Sequence, residues 1–127
     1  MTLAGESWQQ LWVEFTPKAS GLLSIRLSGS LYPDNATNCH AVYVDDVNIN
    51  GTPAVSVKNG SFEYLNEYDS PTDWYKDVST LSQAAVIAHT GRYSMLVWHD
   101  AALIQGIKVQ ADRKYRVSAY FKARNKQ

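Results

Sequence analysis

The sequence predicts an all-β fold, an antiparallel two-sheet β-sandwich, on three observations. Apolar and polar residues alternate in nearly every segment, the pattern of half-buried strands. Turn-forming clusters separate those segments at close spacing. The 127 residues suit a single domain (1–127), and a chain of this length buries about two-thirds of its unfolded surface. An apolar fraction of 45% is ordinary for a folded chain and argues against disorder.

Taken in order, "LWVEF" places Leu11, Val13 and Phe15 on one face and Trp12 and Glu14, with Gln10, on the other. "LLSIRLSG" sets Leu23, Ile25 and Leu27 opposite Ser24, Arg26 and Ser28. "VYVDDVNI" is a strand with a fault: Val42 and Val44 share one parity, Val47 and Ile49 the other. The slip falls at Asp45–Asp46 and predicts a bulge that re-aims a carboxylate. "YSMLVWH" and "IQGIKVQ" are further strands. "YRVSAYFKAR" turns Tyr115, Val117, Ala119, Phe121 and Ala123 inward, leaving Arg116, Ser118, Tyr120, Lys122 and Arg124 outside. "TPKASG", "SLYPDNATN", "NGTPA", "YDSPTD", "HTG" and "QADRK" supply the turns. "STLSQAAVIA" (79–88) fits either a short helix or an irregular loop feeding a short strand.

Twelve Lys plus Arg balance twelve Asp plus Glu, so no long-range field recruits nucleic acid or an anionic membrane. No apolar run approaches the roughly 20 residues that span a bilayer. No basic region followed by an apolar core stands at the N-terminus, so a signal peptide is expected to be absent or already removed. The single cysteine, Cys39, allows no internal disulfide and is expected to be a buried, inert thiol. His40, His89 and His99 are scattered without zinc-site spacing. Four Trp, eight Tyr and three Phe form the compositional excess.

Several segments resemble a known group. "NGSFE" (59–63), Trp74, "AHTGRYSMLV" (88–97), "IQGIKV" and "KYRVSAYFKAR" resemble the first half of a jelly-roll carbohydrate-binding module of the family 4, 9 and 22 type. "ESWQQLWVEFTPKASGLLSIRLSG" and "HAVYVDDVNI" resemble its second half. The order departs from that family. Residues 1–50 match the closing half, 59–127 the opening half, and 51–58 join them. The chain is thus expected to be a circular permutant, or the end of one module joined to the start of the next. The strand that family members carry between "SAYFKAR" and "W…F" is not found. Its loss leaves two edges open and predicts strand sharing, with a homo-oligomer or a neighbouring module as partner.

The resemblance implies a structural calcium ion where the opening and closing strands run together. Its ligands would be Glu63, Asp45 of the Asp45–Asp46 pair, and main-chain carbonyls between Thr90 and Arg92. Two carboxylates suit a hard cation that takes six to eight oxygens. The alternative is that Asp45 and Asp46 are solvated turn residues, with Glu63 paired to a base such as Arg92.

The resemblance also implies an extracellular protein that binds polysaccharide without catalysing a reaction. Sugar sites pair aromatic faces with directional polar groups, so outward aromatics are the candidates: Trp12, Tyr43, Trp98 and Tyr120, with Glu14, Arg26 and Arg116 as hydrogen-bonding partners. Trp8 and Trp74 fall at packing positions. Loop residues Tyr32, Tyr64, Tyr68 and Tyr75 offer a rim site instead. Glycoside hydrolysis needs two carboxylates about 5 to 9 Å apart, and Glu14, Glu63, Glu67, Asp69 and Asp73 form no assignable pair. A structural or adhesive module of a virion or cell surface is the remaining alternative.

Overall fold

The computed structural model describes residues 7–31, 39–52, 54–68, 70–76, 83–98 and 102–123. Ten strands appear among them: β1 (Gln9–Phe15), β2 (Gly21–Leu27), β3 (Ser30–Leu31), β4 (Cys39–His40), β5 (Val42–Gly51), β6 (Tyr75–Lys76), β7 (Gln83–Ala85), β8 (Ser94–Val97), β9 (Leu103–Val109) and β10 (Tyr115–Ala123). One sheet has the order β1-β10-β5-β8-β7, a second β2-β9-β6, and β3 and β4 pair alone. Every pairing is antiparallel. The two larger sheets form an all-β sandwich with no helix among the described residues. The 79–88 stretch contributes β7; its residues 79–82 lie outside the described part of the chain.

Inward rows from the two larger sheets make one core. Val44, Val47, Ile49, Met95 and Val97 come from the five-stranded sheet; Ile25, Leu27, Leu103, Ile107 and Val109 come from the three-stranded one. Phe62, Trp74 and Tyr115 fill the space between. Each such side chain contributes roughly 1.5–3 kcal/mol when fully buried. Strands from the two halves of the sequence interleave, since β10 lies between β1 and β5 and β8 beyond β5. The slot between "SAYFKA" and "W…F" is closed, because β10 pairs directly with β1 along its whole length.

Residues 58–60 are held by specific bonds. Gln105, buried in β9, accepts from the Lys58 amide (2.8 Å) and donates to the Lys58 carbonyl (2.8 Å) and the Asp73 carbonyl (3.2 Å). The Val47 amide donates to the Gly60 carbonyl at 2.9 Å. "NGSFE", which the resemblance equates with the strand that opens the family's modules, instead makes a turn, with Asn59 (φ 51°) and Phe62 (φ 59°) in the left-handed region. The Asn59 side chain fixes it by accepting from the Tyr64 amide and donating to the Tyr64 and Thr72 carbonyls. Trp74, in the core as expected, donates its indole N–H to the Asn59 carbonyl at 2.9 Å.

Candidate functional site

The phase slip in β5 is a bulge. Ser118 pairs with Asn48 but Tyr120 with Asp45, so Asp46 and Val47 together oppose Ala119. Asp46 takes φ 51°, the left-handed geometry of such a bulge. Asp45 remains on the outward face yet is fully buried, because the turn at 87–93 folds over it.

Three carboxylates staple that turn. Asp45 Oδ2 accepts from the amides of His89 (2.9 Å) and Thr90 (3.2 Å), and its Oδ1 from the Asp46 amide (2.8 Å). Glu63 takes the next two donors, Arg92 N–H on Oε1 (2.8 Å) and Tyr93 N–H on Oε2 (3.0 Å). Asp46 lies 2.7 Å from His89 Nδ1 and accepts from the Thr90 hydroxyl at 2.8 Å. Gly91 sits between with φ 71°, and a Cβ there would come within 2.5 Å of the Glu63 carboxyl carbon. Burial pushes the Asp45 carboxyl up to about 6, against the downward pull of the Thr90, Asp46 and His89 N–H groups. The Ser94 hydroxyl donates to the Ile87 carbonyl; Ser94 and Leu96, outward by parity, are buried with the rest of β8.

Glu63 therefore meets the main chain of Arg92, not its guanidinium. That guanidinium lies 5.5 Å from the centre of the Tyr93 ring. Asp45, Asp46, Glu63 and Arg92 meet at one turn within one chain. Among the described residues no three His, Cys, Asp or Glu side chains form a group that could hold a metal ion. The oxygens of Asp45 and Glu63 spend part of their acceptor capacity on N–H groups, and each carboxylate has about four lone-pair sites in all.

A second arrangement occupies the same face toward β1. Trp12 is 47% exposed, and the Arg116 guanidinium stands 4.2 Å from its ring centre. Glu14 fixes that guanidinium, accepting from Arg116 Nε (3.3 Å) and Nη2 (3.2 Å), and lies 3.7 Å from Lys114 Nζ. The register explains the grouping: Glu14 is opposite Arg116, Trp12 opposite Ser118, and Arg116 opposite Asn50. An open hollow of about 700 Å³ adjoins it, lined by Glu14, Asn50, Thr52, Asp112, Lys114 and Arg116 among others.

The remaining candidates are dispersed. Tyr120 is half-buried, its ring stacked under His89 at 3.7 Å between centres and 12° between planes. Trp8, half-buried, meets the His89 ring edge-on at 5.8 Å between centres. Tyr43 is half-buried opposite Lys122 and Leu96. Trp98 is half-buried just past β8. Arg26 belongs to the three-stranded sheet, across the sandwich's open side from Trp12. Tyr64, Tyr68 and Tyr75 are exposed. Tyr32, Asp69, His99, Asp100 and Arg124 lie outside the described residues, and the side chains of Cys39 and His40 are likewise undescribed. Thr90 and Arg92, expected to offer main-chain carbonyls, instead donate their amides to Asp45 and Glu63. His89, Asn48, Asn50 and Lys114 were not singled out from the sequence as site residues, and only the bulge, with "HTG" as a turn, hinted at His89.

These features define an antiparallel β-sandwich with a stapled turn and an aromatic–ionic cluster on one sheet face. Comparison with known proteins adds no relative: no family model, curated protein or solved structure matches the chain.

Proposed function

We propose that this chain is a non-catalytic carbohydrate-binding module that takes polysaccharide on the outward face of the five-stranded sheet. The observation that carries the reading is the Trp12–Arg116–Glu14 cluster beside an open polar hollow. A half-exposed indole offers an apolar face to the C–H side of a pyranose. Arg116 and Glu14 constrain each other, so their remaining donor and acceptor sites are presented in fixed directions. Asn48 and Asn50 are exposed on the neighbouring strand and supply further donors and acceptors for hydroxyls.

The test is a panel of soluble β-glucans, xylans and mannans followed by Trp fluorescence. A saturable response to one class is expected, and silence across the panel would reject the reading. A structural or adhesive role is the second reading, supported by the long exposed edge of β1. An extracellular setting belongs with the sugar reading.

A structural calcium ion at the stapled turn is part of the same proposal. Its support is the chemistry of Asp45, a fully buried carboxylate whose ionised form burial disfavours, because a cation would offset that cost. Glu63 and main-chain oxygens of the turn would complete the set. Calcium is expected to raise the melting temperature and chelator to lower it. Identical melting curves in both conditions would assign the carboxylates to hydrogen bonding alone.

A further inference from the structure

β1 ends the five-stranded sheet and β2 ends the three-stranded one. Val13, in the inward row of β1, is 49% exposed. Between these edges runs a groove of about 280 Å³ whose lining includes Leu11, Val13, Phe15, Leu23, Ile25 and Leu27. Edge strands are ordinarily protected by shortness, proline, lysine or a bulge. The opposite edge, β7, is short at three residues. β1 is long and regular: "QQLWVEF" contains neither Pro nor Lys, its pairing with β10 is unbroken over seven residues, and its one charge, Glu14, is already held by Arg116. Among the described residues no strand pairs with its outer side.

We propose that this edge is a homodimer interface in which two copies of β1 pair antiparallel about Val13, joining two five-stranded sheets into one. The pattern of the strand itself selects a second copy as the occupant. In that register Val13 faces Val13, Leu11 faces Phe15 and Trp12 faces Glu14 of the second copy. Directly opposed residues in an antiparallel pair share a face, so the inward row stays wholly apolar and continues the groove. The outward row brings opposite charges together. Arg116 stands over its own Trp12 and so comes beside the second copy's Glu14, while the mirror contact forms at the same time. No like charges oppose one another. A two-fold, self-complementary contact of this kind closes on itself. It also sets the two Trp12 side chains on one continuous sheet face.

The test is sedimentation of the unmodified chain over rising concentration, with no glycan present. The dimer predicts a mass of twice 14.2 kDa, and Val13→Lys, an inward-row charge at the edge, should return it to a single chain. A constant single-chain mass for the unmodified protein at all concentrations overturns the proposal. So does a dimer that Val13→Lys leaves intact. If Val13→Lys fails to fold, Val13→Cys in a Cys39→Ser background decides: oxidation must link two copies, and Leu11→Cys must link them far less. Equal linking of both, or of neither, overturns the register. Because the assay contains no sugar, a dimer that binds no glycan would remove the function proposed above and leave this interface standing.

Discussion

Tyr120 and Trp12 lie on the same outward face of neighbouring strands, yet the molecule treats them in opposite ways. Tyr120, at the bulge, is stacked under His89 and closed over by a turn that Asp45, Asp46 and Glu63 hold. Trp12, toward the edge, stays half-exposed with the Arg116 guanidinium at its ring. Side-chain parity is the same for both. What differs is the main chain above: five amide donors converge on carboxylates at one place, and among the described residues nothing comparable crosses the other. An outward aromatic is therefore a binding candidate only where no stapled loop has already claimed it.

The stapled turn should be the more fragile of the two regions. Asp45→Ala leaves the part-buried amides of Asp46, His89 and Thr90 without their acceptor and should cost on the order of 3 kcal/mol in urea denaturation. An effect below about 0.5 kcal/mol would mean that water replaces the carboxylate and that the turn is not closed. Gly91→Ala should cost about 1–3 kcal/mol, since the new methyl meets the Glu63 carboxyl and the backbone is left-handed.

The pH dependence follows from Asp45. Its folded-state value, about 6, exceeds the ordinary aspartate value of 3.8, so the folded protein binds the proton more tightly. This contribution to stability is fully present below about 3.8 and is lost as pH rises through about 6. Urea midpoints compared between wild type and Asp45→Asn at pH 4 and pH 7 isolate it. The wild type should lose more stability over that rise than the variant, and equal changes would contradict the assignment. At the open region, Trp12→Ala should change stability by no more than about 0.5 kcal/mol, read from the same denaturation curves.

Much of this architecture was written in residue alternation. Strands β1, β2, β5, β9 and β10 follow period-two rows, and the bulge at Asp46 follows from the parity break between Val44 and Val47. Short elements were less legible. Phe62 and Asn59 sit in left-handed conformations that no alternation encodes, so "NGSFE" looked like a strand. The buried outward residues of β8 depend on a turn packed above them. At the site, Trp12, Glu14 and Arg116 could be grouped only once the register of β1 on β10 was known. Nothing near His89 in sequence points to Tyr120, 31 positions away, because that stack is made by tertiary packing alone.

The most direct measurement sets the two aromatics against each other. Under the proposed sugar-binding function, Trp12→Ala and Tyr120→Ala are titrated side by side with the unmodified chain against the same glycan panel, with melting temperature recorded for each. Trp12→Ala should lose binding with its melting temperature nearly unchanged, whereas Tyr120→Ala should melt earlier and still bind. Binding that survives Trp12→Ala but disappears in a folded Tyr120→Ala protein would contradict the account.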